Sequence, residues 1–175
     1  MADYHDHEWG TPMRDDRTLY EFLVLSGTQA GLSWEMVFKK REAYRAAFDG
    51  FEAERVARYT PRDVARLLAD PGIVRNRQKI DAAIHNARVV LETRADHGSF
   101  AGYLWSFVGG QPIVNRRRSI RDLPPRTPLS DRISADMKKR GFKFAGTTIV
   151  YAYIQSVGLV NDHLVSCFRH PGRTP

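Results

Sequence analysis

Residues 138–149 read KKRGFKFAGTTI, which is the most informative local pattern in the sequence. A basic helix end runs into a turn bounded by Gly141 and Gly146, and a second helix begins at Thr147. The first amides of that helix have no intrahelical partner, so the turn can direct backbone N–H groups towards a phosphate. Two interpretations are open from these residues alone: a helix-hairpin-helix clamp on a nucleic-acid backbone, or an ordinary αα-hairpin with a solvated basic rim.

Helical spacing of apolar residues also dominates on either side of this hairpin. It predicts further helices from about Thr18 to Gly27, from Ser33 to about Gly50, from Thr60, from about Asn76 and from Phe100 to Val108, with a last short helix after Asn161. The stretch from Gly109 to Thr127 combines Gly-Gly, prolines and Arg116-Arg117-Arg118, which is typical of a loop. No segment alternates strongly enough to predict a strand. We therefore expect an all-α fold, one compact helical domain over residues 1–175 with the helix-hairpin-helix motif at about 131–157.

The charge is unevenly distributed along the 175 residues. Lys and Arg number 27 against 20 Asp and Glu, a net charge of +7, and residues 111–150 hold ten basic against three acidic side chains. This concentration favours a polyanionic partner, nucleic acid first, although a basic surface without a partner fits equally. No apolar stretch approaches the roughly 20 residues that span a bilayer, residues 1–6 do not resemble a signal peptide, and the single cysteine suits a reducing cytoplasm.

A pair of metal-ligating residue types stands near the C-terminus. His163 and Cys167 are four residues apart in a segment predicted to be helical, so both side chains face one side. Imidazole and thiolate suit zinc, but a structural site needs four ligands, and His5 is a candidate third donor from the other end of the chain. Alternatively, Cys167 is a small buried apolar residue and His163 a hydrogen-bonded helix residue.

A third pattern follows the first predicted helix, where residues 27–34 read GTQAGLSW. Small residues precede Leu32, and Trp34 stands at the entrance of the next helix. A flat aromatic side chain at this place can stack on a base, and an apolar tip can enter a base stack. The alternative is that Leu32 and Trp34 simply belong to the core.

Seven segments together resemble the 3-methyladenine DNA glycosylase I family. They are YHDHEWG (4–10), QAGLSW (29–34), KKRE (39–42), GIVRNRQKI (72–80), WSFV (105–108), KKRGFKFAGTT (138–148) and GLVNDH (158–163). The likeness runs from Tyr4 to about Gly172, nearly the whole chain. The resemblance implies a helix-hairpin-helix glycosylase that removes 3-methyladenine from alkylated double-stranded DNA by base flipping and leaves an abasic site.

The resemblance also implies roles for individual residues. Tyr4 and Trp34 would bind the cationic base, because aromatic faces attract cations. Two regions would contact DNA. Beside the gap that the flipped base leaves in the duplex they are Gln29, Gly31 and Leu32, and in the hairpin they are Lys143, Gly146, Thr147 and Thr148. We further expect a monofunctional enzyme that acts as a monomer in the cytoplasm, associated with the nucleoid and not with a membrane.

In the family that the chain resembles, a structural zinc ion ties the two ends together, and His5, His163 and Cys167 match three of its ligands. The terminal segments of this site would be residues 4–9 and 161–169. The family's fourth ligand is a cysteine ahead of the Tyr-His-Asp motif, and this sequence has no second cysteine. We expect that the chain starts late relative to the family, that water or a residue such as His7 completes the site, or that zinc is absent.

A second departure from the family stands at Ser26, where a glutamate that contacts the flipped base is usual. A serine hydroxyl can hydrogen-bond a base edge but offers no negative charge to a cationic purine. We therefore place the catalytic position at Ser26 and expect altered base preference or slower excision. A protein that binds alkylation damage without cutting, and a glycosylase with shifted lesion specificity, are the alternatives. Asp162, where related glycosylases place a catalytic aspartate, is interpreted as a helix N-terminal residue.

Overall fold

The structure, a computed structural model, describes residues 1–172. Within them the helices are α1 (Ala2–His7), α2 (Asp16–Thr28), α3 (Trp34–Phe38), α4 (Arg41–Ala47), α5 (Ala53–Val56), α6 (Pro61–Ala69), α7 (Arg77–His97), α8 (Phe100–Ser106), α9 (Pro128–Lys139) and α10 (Thr147–Ser156). Two-residue strands, β1 (Ile113–Val114) and β2 (Val160–Asn161), form a small parallel sheet. The predicted all-α class is confirmed. Residues 173–175 of the expected domain lie outside the described residues, and among the described helices none is long and apolar enough to cross a membrane.

Most longer helices begin close to where the sequence predicts, because their first amides are capped by side chains. At the start of α2, Asp15 accepts from the Thr18 amide at 2.8 Å. Asn76 caps α7 in the same way at 3.1 Å, and at the start of α6 the Asp63 carboxylate accepts from the Thr60 amide at 2.8 Å. Each cap pairs a helix amide that would otherwise have no partner.

The helix predicted from Ser33 to about Gly50 is divided into α3 and α4, so that prediction was wrong. Lys40 leaves the helical region, with φ −94° and ψ 4°, and its amide donates to the carbonyl of Val37 in a tighter turn. The break separates the helix that carries Trp34 from the helix that carries Arg41. Both side chains nevertheless reach the aromatic cluster described below.

α2 is the central helix of the fold. Its residues 19–28 are buried throughout, although the sequence predicts only one apolar stripe. The hydroxyl of Tyr20 donates to the carbonyl of Ala83 in α7 at 2.8 Å, and that of Tyr153 in α10 donates to the carbonyl of Leu19 at 2.9 Å. Since these buried phenols are hydrogen-bonded, their polar ends add little cost to the core. α2 is thus held between α7 and α10, and its C-terminal end leads directly to Trp34.

The segment after Asn161 is not helical, which corrects the prediction of a last short helix. β2 pairs with β1 in the register Ile113 with Val160 and Val114 with Asn161. Arg117 then bridges to Leu164. The loop predicted over 109–127 is therefore fastened to the C-terminal segment, and the two strands are too short to leave an alternating pattern in the sequence.

Hydrogen bonds to the carboxylate of Asp162 hold this segment in its non-helical conformation. The carboxylate is buried and accepts four hydrogen bonds, from Asn115 Nδ2 (2.8 Å), Gln155 Nε2 (2.8 Å), Arg117 Nε (3.2 Å) and the Tyr151 hydroxyl. Burial opposes ionisation, but these four donors keep the pKa of Asp162 below its usual value. Asp162 therefore joins the 109–127 loop to α10 and is not a helix N-terminal residue, which corrects that interpretation.

Candidate active site

Aromatic side chains from α1, α2 and α3 meet in one cluster. The sequence did not predict the N-terminal helix α1. Between ring centroids, Tyr4 of α1 lies 4.3 Å from Phe38 and 5.7 Å from Trp34, both in α3. Phe22 of α2 stacks on Tyr4 and Trp34 at 6.3 and 6.4 Å. We call these four side chains the aromatic cluster. Their electron-rich faces provide a surface that attracts a flat cation.

Three buried polar atoms at or beside the aromatic cluster have no hydrogen-bond partner within residues 1–172. They are the Tyr4 hydroxyl, Trp34 Nε1 and Ser26 Oγ. Ser26 follows Phe22 by one turn of α2 and is 2% exposed. Leaving a buried polar group without a hydrogen-bond partner costs about 1–3 kcal/mol of folding free energy. Three such groups in one region therefore indicate a binding site for a polar ligand. The structure thus brings together Tyr4 and Trp34, the residues predicted for base binding, and places Ser26 one helical turn from Phe22, which stacks on both.

The Tyr4 phenol is uncharged at physiological pH. Burial raises the pKa of Tyr4 to about 12. Ser156 and Trp34 lie close enough to act against this shift, but neither makes a hydrogen bond of normal geometry with the hydroxyl. Tyr4 therefore keeps an O–H group that is free to donate.

A buried group of ion pairs packs against the aromatic cluster. Arg41 pairs with Glu21, and its Nη1 lies 2.6 Å from Glu8 Oε2. Its guanidinium carbon stands 4.8 Å from the centre of the Phe22 ring and 5.1 Å from that of Phe38. The three charged side chains come from α4, α2 and the end of α1. They therefore join α1 and α2, which carry Tyr4 and Phe22, to α4.

The loop between α2 and α3, residues 29–33, holds the three residues predicted beside the DNA gap, and we call it the probing loop. Gly31 has φ +78° and nothing within 4 Å of its Cβ position, so the tip is open. Leu32 is half-buried and packs on the core, so it is less exposed than the sequence pattern suggests. Ser33 closes the loop by capping α3 through the Met36 amide at 3.2 Å.

The hairpin between α9 and α10 lies where the sequence predicts it. Gly141 has φ +97° and Phe144 has φ +52°, which reverses the chain within six residues. Among the helices of ten or more residues, α10 is the one whose N-cap, Gly146, offers no side chain to the first amides. The amides of residues 147–149 are therefore available to an anion. Exposed Lys143 stands in the same turn, beside a groove of about 500 Å³ lined by α7 and the hairpin.

The two ends of the chain meet at a cluster of three metal-ligating side chains. One donor atom from each of His5, His163 and Cys167 lies within 4.8 Å of the others, and His5 Nε2 is 3.6 Å from Cys167 Sγ. This contact forms although the segment that carries His163 and Cys167 is not helical. Gly10, with φ +72°, passes so close to His163 that a Cβ there would lie 2.9 Å from its ring.

The ring nitrogens of this terminal cluster are oriented as metal ligands are. His5 Nδ1 lies 2.7 Å from the Asp6 carboxylate, and its other ring nitrogen, Nε2, faces Cys167 Sγ. His163 Nδ1 bonds Asn161 Oδ1 at 3.0 Å, and its buried Nε2 has no partner in the described chain. Burial lowers the pKa of His163 to about 4, which keeps the ring neutral. These donors fit a zinc ion, whose histidine ligands commonly direct their second nitrogen to such an acceptor.

His7 does not contribute to the terminal cluster, contrary to one of the expectations. Its Nδ1 lies 3.1 Å from the carbonyl of Asp3 and 3.0 Å from the Asp3 carboxylate, on an exposed face of α1. Within residues 1–172 the cluster contains one residue each from the segments around His5, His163 and Cys167, and no fourth protein donor joins them. The cluster therefore consists of the three residues that the resemblance implied as zinc ligands.

Several residues around these sites were missed by sequence reasoning. They are Phe22, Phe38, Glu21, Arg41, Lys79 and Asn86. Arg41 stands in the KKRE segment and Lys79 in the GIVRNRQKI segment, but neither segment by itself indicates what these side chains contact. Their roles depend on partners that are distant in sequence, which periodicity does not reveal.

Known proteins resemble this chain over nearly its whole length in both sequence and structure. The model of the methyladenine glycosylase family matches residues 1–170. DNA-3-methyladenine glycosylase 1 of Escherichia coli K12 is 49% identical over 98% of this chain and 92% of its own length. A crystal structure of 3-methyladenine DNA glycosylase I superposes with a TM-score of 0.94 at 51% identity, covering 97% of this chain and 93% of that one.

A structure that addresses 3-methyladenine recognition by the Staphylococcus aureus enzyme superposes equally well. Its TM-score is 0.95 at 38% identity, and the match covers 99% of this chain and 92% of that one. Sequence and structure therefore agree over nearly the full length of both partners. This chain belongs to the methyladenine glycosylase family.

Proposed function

We infer that this chain is a monofunctional DNA glycosylase that hydrolyses the N-glycosidic bond of 3-methyladenine in double-stranded DNA. The observation that carries this inference is the aromatic cluster with its three unpartnered buried polar atoms. A methylated adenine base is flat and cationic, and its edges carry hydrogen-bonding groups. Aromatic faces suit its charge, and the Tyr4, Trp34 and Ser26 groups suit its edges.

The chemistry needs little from the protein, because methylation at N3 already makes the base a good leaving group. The bond between C1′ and the base nitrogen breaks, and its electron pair moves onto the purine and neutralises the positive charge. Water adds its oxygen to C1′ and releases a proton to solvent, leaving an abasic sugar. Aromatic side chains and a neutral Tyr4 hydroxyl hold the base while positive charge develops on the sugar.

The nearby carboxylates are engaged elsewhere, so we assign none of them as a general base. Asp162 accepts four hydrogen bonds in its buried position. Glu8 and Glu21 are paired with Arg41. Ser26 keeps a free hydroxyl but carries no charge, so we propose that it binds the base edge and that excision relies on extrusion and binding.

DNA would be held at two places. The free amides of residues 147–149, with Lys143, Gly146, Thr147 and Thr148, would grip a backbone phosphate. The probing loop, with Gln29, Gly31 and Leu32, would enter the space left by the extruded base. We propose that the chain acts as a monomer on DNA in the bacterial cytoplasm.

We also propose that His5, His163 and Cys167 supply three ligands of a structural zinc ion. When bound, zinc supplies a cross-link between the first and last segments of the chain. Tyr4 precedes His5 directly, so the cross-link would also hold α1 and its base-binding phenol in place. The unpartnered buried Nε2 of His163 supports this assignment.

The function is tested by incubating duplex DNA methylated with a simple alkylating agent and separating the released bases by chromatography. We expect free 3-methyladenine as the main product. Release of a different alkylated base would show that Ser26 shifts the lesion preference. Tight binding to the damaged duplex with no base released, under conditions where a known glycosylase is active, would contradict the inference.

Removal of zinc is expected to destabilise the protein. We expect about one zinc ion per purified chain, and a strong chelator should lower the melting temperature by about 5–10 °C, corresponding to about 2.7 kcal/mol for an ion at a hundredfold excess over its Kd. Elemental analysis and thermal unfolding measure these quantities. Cys167→Ser should abolish the chelator effect, whereas His7→Ala should retain it. Fewer than about 0.2 zinc ions per chain would contradict the proposal.

A further inference from the structure

Helix α7 contacts the probing loop through one charged side chain. The ammonium group of Lys79 donates to the carbonyl oxygens of Thr28 and Ala30, each at 2.7 Å. These carbonyls end α2 and begin the probing loop, where helix carbonyls lack intrahelical partners and the helix dipole is negative. Lys79 therefore fixes the point at which the probing loop leaves α2.

Two turns further along, α7 contacts the hairpin. Asn86 pairs its side-chain amide with the peptide of Lys143, accepting from the amide at 2.8 Å and donating to the carbonyl at 3.0 Å. His85 Nε2 lies 2.9 Å from the carbonyl of Gly141 in the same turn. Asn86 is buried, so its two hydrogen bonds hold the hairpin at a fixed height along α7.

The space between these two contacts is tightly packed. Lys79, Ala82, Ala83 and Asn86 lie on one face of α7 and border a residual void of only about 10 Å³. Across it, a Cβ on Gly27 of α2 would lie 3.2 Å from Cβ of Phe144 in the hairpin. The small side chains of α7 thus let the helix before the probing loop approach the hairpin directly.

We propose that α7 sets the distance between the hairpin, which would hold a backbone phosphate, and the probing loop. Lys79 and Asn86 are the positioning residues. Residues 79 and 86 are two helical turns apart, about 10.5 Å along α7. This inference rests on the proposed function, because it assigns both loops to DNA. Loss of either side chain would leave the aromatic cluster intact. The protein would then still bind DNA but would extrude the base less efficiently.

The test compares Lys79→Met with the wild-type chain. Methionine keeps most of the apolar stem and removes the two hydrogen bonds, so we expect single-turnover release of 3-methyladenine to fall by about tenfold. Affinity for undamaged duplex and for free 3-methyladenine should stay within about twofold, since the hairpin and the aromatic cluster are untouched. Lys79→Arg should restore most of the rate. Arg77→Met removes the same charge from the same helix, where it makes an exposed pair with Asp81, and should leave the rate unchanged.

A second measurement keeps this inference distinct from the proposed function. A duplex with 2-aminopurine beside an abasic analogue reports unstacking by fluorescence, whether or not any base is released. Weaker unstacking by Lys79→Met at saturating protein, restored by Lys79→Arg, supports the inference even if the wild-type chain releases no base. Equal unstacking by both chains, or a rate loss matched by equal losses of DNA affinity and melting temperature, would overturn it.

Discussion

Arg41→Met is expected to lower the free energy of unfolding by about 3–5 kcal/mol, because it leaves Glu21 charged and buried without its closest partner. The Arg41 and Glu21 side chains are 9% and 7% exposed. Methionine fills a similar volume beside Phe22 and Phe38 but cannot neutralise a carboxylate. Urea or thermal unfolding measures the change, which corresponds to roughly 6–20 °C in melting temperature for a chain of this size.

Arg45→Met is the matched control for this prediction. Arg45 Nε also pairs with Glu21, at 3.0 Å, but its side chain is 39% exposed, so its loss should cost less than about 1 kcal/mol. The double variant Arg41→Met with Glu21→Gln should regain part of the stability, since no unpaired charge remains buried. If Arg41→Met unfolded at the wild-type midpoint, the ion pairs behind the aromatic cluster would not be stabilising.

Trp34→Leu is expected to lower single-turnover release of 3-methyladenine by about a hundredfold. The indole provides a face for a cationic base and an unpartnered buried N–H, and stacking of a base on an aromatic side chain contributes about 1–3 kcal/mol. Cation–π attraction adds about 2 kcal/mol when the cation is desolvated. The effect should appear in the rate on bound DNA and not in the affinity for undamaged duplex.

Trp34→Phe separates the two contributions of this side chain. Phenylalanine keeps an aromatic face and removes the N–H, so we expect a loss of about tenfold, the equivalent of one hydrogen bond. Binding of free 3-methyladenine, measured by calorimetry, should weaken in the same order as the rates. A Trp34→Leu variant that released base within threefold of the wild-type rate would exclude Trp34 from the base pocket.

Much of this fold was predictable because its signals are local. The hairpin was recognisable from residues 138–149, since turn glycines, a basic helix end and a new apolar period occur together in the chain. α2, α6 and α7 began close to their capping residues for the same reason. His163, Cys167 and His5 were candidate metal ligands on residue type and spacing, the family resemblance implied zinc for them, and the structure places their donor atoms within 4.8 Å of one another.

The errors concern elements that depend on distant partners. α1 has six residues and no side-chain cap, and it is held by packing of Tyr4 on α2 and α3. The segment after Asn161 has helical spacing, but Asp162 is drawn to Asn115 and Arg117, 47 and 45 residues earlier. Lys79 and Asn86 face loops that lie about 50 residues away. A periodic pattern identifies a face of a helix, but it does not identify what that face meets.

The meeting of the two chain ends also imposes an order on biosynthesis. His5 and Cys167 are 162 residues apart, so the segment that carries Tyr4 is synthesised long before the segment that carries Cys167. Domains acquire their long-range contacts only when the chain that makes them has emerged. The nascent chain therefore cannot form the contact between His5 and Cys167 until residue 167 has been synthesised, and until then α1, which carries Tyr4, is held by packing on α2 and α3.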